Sequence, residues 1–287
     1  MPSSHPTRFA AAMVLGAIVS VQAGAALATT LFNDVGASGA VLLRSFFAAI
    51  ALSVIARGMV RGGQLYMSRD VVVFGAALAG MNLCFYESLE RLPLGVAVTL
   101  EFVGPLGVAV LATRRRLDAV WGLIAAGGIV LLSEGNAGGD IDALGAALAL
   151  GAGVFWALYI VQSARVGRRP GLGGLALAAA LSTALVAPFG LAAGGAELID
   201  REVLAIGLGV GLLSSAIPYS LELQALRRLP NAVFGVLLSL EPAVAATIGF
   251  VALAQSLSAT QLAAIALVVV ASAGALRSAS TPAPRDM

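Results

Sequence analysis

Five ionisable side chains lie inside long apolar runs: Arg44, Glu87, Glu101, Glu222 and Glu241. A charge at the centre of a membrane span costs roughly 2.5–3.5 kcal/mol on insertion scales, so such residues have a function or a partner. A carboxylate can take up and release a proton or hold an ammonium group, and a guanidinium can hold a carboxylate. Arg44 and Glu101 each stand seven residues inside the same end of their runs, roughly 10 Å deep at 1.5 Å per residue. The matching depth predicts an ion pair. It is either a permanent structural pair or one in which Arg44 biases Glu101 while Glu101 exchanges protons or holds an ammonium. Glu241, ten residues into its run and about 15 Å deep, is the second candidate for proton coupling, or a helix-packing carboxylate. Glu222 lies nearer a run end, where Arg227 and Arg228 can neutralise it, and shares a helix face with Tyr219. Glu87 lies near the other end and reads as solvated.

Uncharged groups extend this set. Asn82 and Tyr86 are one helical turn apart, Gln22 lies in the first run, and Trp156 and Tyr159 form an aromatic wall in the sixth. A zwitterion needs both charges met, the ammonium by carboxylates or carbonyls and the carboxylate by Arg, amides or a helix N-terminus. Pro105 disturbs the carbonyl four residues back, which is Glu101's own. Helix breaks at membrane depth are tolerated where backbone is buried in protein or lines a cavity. Pro242, directly after Glu241, and Pro218 are further candidate breaks, with packing kinks as the alternative.

Other chemistries lack material. The single Cys84 gives no disulfide and no thiolate metal site, and the single His5 is in the N-terminal tail, so no metal site, cofactor or enzyme is expected. The loop carboxylates Asp140 and Asp142 are the one weak opening for a membrane enzyme. A net charge of +2 predicts no nucleic-acid partner. Gly145, Ala149 and Gly153 repeat at the spacing of close helix packing. Gly62-Gly63 and Gly138-Gly139 are not phosphate loops, because no Gly-Lys-Ser/Thr follows.

These groups must be positioned by membrane helices. The 287 residues are 59% hydrophobic and 11% charged, with mean hydropathy +0.96, against roughly 25% charged residues in soluble domains. Continuous apolar runs exclude the alternation of a β-barrel and predict an all-α membrane protein of ten spans near 9–31, 37–57, 70–90, 94–113, 118–133, 142–165, 172–193, 202–227, 231–253 and 260–277. All 17 basic residues are Arg. With the N-terminus cytoplasmic, fourteen of them fall on the cytoplasmic side, including Arg114, Arg115 and Arg116, and only Arg91 and Arg201 on the other. This bias predicts a multi-pass protein with both termini cytoplasmic and the lipid bilayer as partner. Ala26-Leu27-Ala28 resembles a signal cleavage site, but the first span has a counterpart later and is expected to be retained.

The halves resemble each other. Leu15-Gly16-Ala17 returns as Leu150-Gly151-Ala152, Arg91-Leu92-Pro93 as Arg228-Leu229-Pro230, and Pro105 as Pro242, at offsets of 135 to 137 residues. Leu117-Asp118-Ala119 and Leu257-Ser258-Ala259 open the fifth and tenth spans with an N-cap residue. The expected organisation is a first five-helix repeat at 9–133, a second at 142–277 and a cytoplasmic tail at 278–287. Five helices per repeat invert the second copy, a transporter signature that puts the substrate site between the repeats at mid-membrane.

Gly80-Met81-Asn82, Phe85-Tyr86, Leu92-Pro93-Leu94-Gly95, Leu100-Glu101-Phe102 and Gly104-Pro105 resemble the EamA-type ten-helix exporters of the drug/metabolite transporter superfamily. So do Ile217-Pro218-Tyr219-Ser220-Leu221-Glu222 and Ser239-Leu240-Glu241-Pro242-Ala243. The resemblance runs over about residues 10 to 277. It implies efflux of small hydrophilic amino acids, of the threonine and homoserine kind, across the bacterial inner membrane by alternating access and proton antiport. Other cargo on the same fold is the alternative. Where such exporters carry Gly-Glu after the ninth span, this chain reads Ala254-Gln255, so any role of a charge there is lost.

Overall fold

The protein is seen in a computed structural model that describes residues 5–61, 67–113, 116–134, 142–166, 173–226, 228–229 and 231–280. Arg114, Arg115, Arg168, Arg169, Arg227, Arg285, Pro230, Asp140 and the paired glycines at 62–63 and 138–139 lie outside the described residues.

Among the described residues ten helical segments run back and forth through one bundle. The first three are α1 (His5–Thr29), α2 (Phe32–Arg61) and α3 (Arg69–Leu89). The fourth is broken into α4 (Leu94–Glu101) and α5 (Val103–Thr113), and the fifth is α6 (Arg116–Glu134). Next come α7 (Ala143–Val166) and α8 (Gly173–Gly194), the latter followed by a 3-10 turn. The eighth segment is α9 (Arg201–Gly211), a π-helical turn at Leu212–Ala216 and α10 (Ile217–Leu226). The ninth is broken into α11 (Asn231–Leu238) and α12 (Glu241–Leu253), and α13 (Ala259–Ser280) is the last. Six stretches are long and apolar enough to cross a membrane: Phe9–Thr29, Phe32–Arg57, Arg69–Leu89, Ala143–Ser163, Gly173–Ile199 and Val236–Leu253. Shorter apolar helices cover Leu94–Val108, Val120–Leu131 and Ala259–Gly274. Phe9, Val54, Leu111, Leu123, Val154, Phe189 and Val251 are exposed, an apolar outer surface suited to lipid.

Local chemistry sets the helix ends. Gly36 has φ 67° and ψ 170°, a conformation open essentially to glycine alone. The long part of α2 beyond this kink begins at Ala37, whose N–H donates to Glu90 Oε1 at 3.0 Å. Asp142 accepts from Gly145 N at 2.6 Å and Asp200 from Glu202 N at 2.8 Å, capping α7 and α9. Ser258 and Gln261 form a reciprocal capping box at the start of α13, at 2.9 and 3.1 Å. At the corresponding start of α6 the side chain of Asp118, the expected cap, lies outside the described residues. The helix begins at Arg116, so Asp118 is inside its first turn. At the C-terminus α13 continues to Ser280, three residues into the expected tail.

The halves interlock rather than lie side by side. α2 packs on α8, α6 on α13 and α4 on α12, while α3 on α7 is matched by α1 on α10. Under exchange of the halves the α2–α8 and α6–α13 contacts map onto themselves and α3–α7 maps onto α1–α10, the pattern of a pseudo-two-fold axis, whereas α4 on α12 has no comparable counterpart of α5 on α11 among the described residues. Arg91 and Asp142 form an ion pair at 3.8 Å, so α7 starts at the end of the bundle where α3 stops. α1 starts at the opposite end. Corresponding helices of the two halves therefore run in opposite directions.

The two ends differ in packing. At the far end, away from His5, one continuous core gathers Leu31, Val35, Leu89, Leu94, Val98, Leu198 and Val203. At the N-terminal end the core is divided into small clusters, one around Val14 and Ile18, another around Leu52 and Ala176.

Candidate functional site

Three segments are interrupted at mid-bundle, and each interruption adjoins a proline. The fourth breaks at Phe102, with φ −66° and ψ −12°, three residues before Pro105. The ninth breaks at Ser239–Leu240, where Leu240 has φ −80° and ψ −8°, just before Glu241 and Pro242. The breaks fall at corresponding places, since 102 + 137 = 239. In the eighth, the π-helical turn ends at Ala216, two residues before Pro218. Ile217 N–H bonds to Leu212 O in π register. The next bond would run from residue 218 to Leu213 O, but proline has no N–H. Ser20 on α1 supplies the missing donor, its Oγ bonding Leu213 O at 2.7 Å.

The breaks surround one cavity of about 560 Å³, within the range of small-molecule sites. Gln22, Arg44, Asn82, Glu101, Pro105, Trp156, Tyr159, Pro218, Glu222 and Glu241 all line it. Glu101 and Glu241 are buried at the break edges. Ser163, Glu222 and Phe234 carry the wall to within about a turn of the helix ends at the His5 end of the bundle. Toward the far end the wall reaches only Gln22 and Phe85, beneath the large core.

Not every expected residue joins the cavity. Tyr86 is fully buried behind it, its ring 5.4 Å from the Arg44 guanidinium. Pro242 is buried beside it. Tyr219 is on α10, its side chain outside the described residues, and Glu87 is half-buried away from the cavity.

Two expected pairings are replaced. Arg44 and Glu101 share the cavity but form no ion pair within 4 Å among the described residues. The Arg44 Nη1 donates instead to Asn82 Oδ1 at 2.6 Å. The Asn82 amide is oriented by its own bond from Nδ2 to Leu78 O at 2.9 Å. Glu222 is not met by Arg228, which turns to Met13 Sδ and to Gln224 O at 3.4 and 3.5 Å and stacks over Phe9. Nor does the Glu101 carbonyl point into the cavity. It abuts Gly153 on α7, where a Cβ would come within 2.6 Å of it.

Sequence reasoning missed several lining groups. Ser214 and Ser272 face the cavity with buried hydroxyls that have no partner among the described residues, as does Gln22 Oε1. Buried polar atoms are normally satisfied, so these three invite a ligand or water. Ser163 was within reach of the pattern, since Trp156, Tyr159, Ile160 and Ser163 follow one helix face. Phe85, Phe102 and Phe234 complete an aromatic lining with Trp156 and Tyr159.

Known proteins carry the same plan. Residues 143–277 match the EamA-like transporter family. The threonine/homoserine exporter RhtA of Escherichia coli (strain K12) is 40% identical over 263 residues, 91% of this chain and 89% of that protein. The chain belongs to the EamA-like transporter family. A second EamA-type relative, the threonine/homoserine exporter RhtA of Salmonella typhimurium (strain SL1344), is 39% identical over the same shares. A solved crystal structure, 22% identical, superposes with a TM-score of 0.65 over 93% of this chain and 96% of its own, which shows the fold. As an EamA-like protein the chain is a multi-pass membrane transporter rather than an enzyme.

Proposed function

We propose that this EamA-like transporter exports small polar amino acids of the threonine and homoserine kind across the bacterial inner membrane, by alternating access coupled to inward proton movement. One observation carries the reading. A single mid-bundle cavity holds one guanidinium and three carboxylates, Arg44 with Glu101, Glu222 and Glu241, the charge set a zwitterion and a proton need. The RhtA relatives, named as threonine/homoserine exporters, support the cargo. Two inverted repeats at 9–133 and 142–277, related by matching breaks, supply the two-sided machinery. With the termini cytoplasmic, the cavity lies on the cytoplasmic side and the structure is the loading state.

Everted vesicles test this directly. Labelled threonine and homoserine should accumulate above the vector control, and a proton uncoupler should abolish the accumulation. No transport, with the protein present in the membrane, overturns the cargo. Transport indifferent to the uncoupler overturns the coupling.

The five aromatic side chains in the wall favour a second cargo, flat or aromatic amino acids. Phenylalanine competing better than threonine in the same vesicles would establish it.

A further inference from the structure

Among the described residues Arg44 is the one cation lining the cavity, and none of their carboxylates pairs with it. A guanidinium kept at membrane depth for structure alone would be neutralised by a carboxylate, because an uncompensated buried charge is strongly destabilising. Glu101 shares the cavity and still forms no ion pair with it. Arg44 is instead fixed by neutral groups on two successive turns of α3. Asn82 Oδ1 takes one N–H at 2.6 Å and the Tyr86 ring lies beneath, 5.4 Å from the guanidinium carbon. On the other side of Arg44 and Asn82 is a small chamber of about 30 Å³ lined by Ser45, Ser182 and Ser215. That is room for a water, and the Ser182 hydroxyl is buried with no protein partner. The site is pre-positioned with room for a water beside it, and its positive charge is left for an anion that comes and goes.

The geometry points to Arg44 as the specificity-determining anchor for the α-carboxylate of the cargo, with Asn82 as the residue that aims it. This rests on the amino-acid reading above. The cargo carboxylate would occupy the place a protein carboxylate leaves open, while its ammonium faces the carboxylate side of the cavity, at Glu101. Amines without a carboxylate, including the amino alcohols that share threonine's side chain, would then be poor cargo.

Trp156 lines the same cavity, so its fluorescence reports binding in the purified, detergent-solubilised full chain independently of transport. The wild type is titrated with L-threonine and with L-threoninol, in which a hydroxymethyl group replaces the carboxylate. Threonine should bind roughly 10- to 100-fold more tightly, the worth of hydrogen bonds to a charged group. In Arg44→Gln this ratio should collapse toward one through loss of threonine binding alone, and Arg44→Lys should recover part of it. A ratio unchanged in Arg44→Gln overturns the assignment. Should that variant not fold, Asn82→Ala is read in the same way. A roughly fivefold fall in the ratio supports the anchor, and an unaltered ratio overturns it. A wild type that neither binds nor moves any amino acid removes the cargo reading and this inference together. Threonine transport with undiminished discrimination in the variants removes this inference alone.

Discussion

The fourth and ninth segments are the same element built twice, and they carry their charges on opposite sides of the same break. In the fourth, the carboxylate precedes the break at Glu101, and Gly104 is the second residue after it. In the ninth, Leu238 precedes the break and Glu241 follows it. Leu238 is the counterpart of Glu101, and Gly104 that of Glu241, at the offset of 137. The backbone symmetry is kept while the site is made asymmetric. Packing explains part of this. A Cβ at Gly104 would run into the Gly153 carbonyl oxygen, so no side chain fits where the ninth segment has its glutamate. Electrostatics explains more. Glu101 lies within reach of the Arg44 charge, whereas Glu241 has Glu222 and Glu101 as its charged neighbours.

Making the two breaks alike is the harshest test of this comparison. Gly104→Glu should cost more than about 4 kcal/mol, the range of severe overpacking, and leave little monodisperse protein after detergent extraction. Exchanging the carboxylate between breaks, Glu101→Leu with Leu238→Glu, should lower threonine transport roughly tenfold or more, the worth of a charge-assisted contact. The fall should match that of Glu101→Leu alone. Recovery in the double variant would mean the two positions are interchangeable after all. Smaller effects are expected where the two segments touch. Gln255, just past the ninth, accepts from Leu94 N at 2.9 Å and so caps α4 of the fourth. Gln255→Ala should lower thermal stability by about 1 kcal/mol, and Gln255→Glu should keep the bond. Ala254 beside it has φ 51°, a left-handed conformation that costs a non-glycine residue about 1 kcal/mol. Ala254→Gly should therefore raise the melting temperature. The smallest change belongs to Arg91→Ala, which removes a half-exposed ion pair worth below about 1 kcal/mol.

Depth was legible in the sequence and direction was not. Apolar runs located all ten segments to within a few residues of their ends, and prolines marked the three interrupted ones. Hydropathy fixes how far along the membrane normal a residue lies. It says nothing of the rotation of each helix about its own axis. Arg44 and Glu101 were paired on depth, yet the azimuth of α2 turns Arg44 to Asn82. Arg228 was assigned to Glu222 by proximity in the chain, yet it reaches back to Met13 and Phe9 on α1. Ser214 and Ser272 carry no periodic signature, and only the assembled bundle shows them facing a cavity. The family's Gly-Glu position was read as a lost charge. The structure gives Gln255 a role that needs an acceptor oxygen, which both Gln and Glu provide.

The Gly104–Gly153 contact has a mechanical consequence. Two backbones pressed together without side chains cannot slide past intervening groups, but they can roll, so the contact is a fulcrum placed at the break of the fourth segment. α4 extends about 12 Å to one side and α5 about 16 Å to the other, at 1.5 Å per residue. Around a fixed pivot, a tilt of roughly 10° carries the tips some 2–3 Å in opposite senses. In the alternating-access reading proposed above, an inward swing that narrows the N-terminal end of the cavity would be geared to an outward swing at the far end, so that one joint drives both doors.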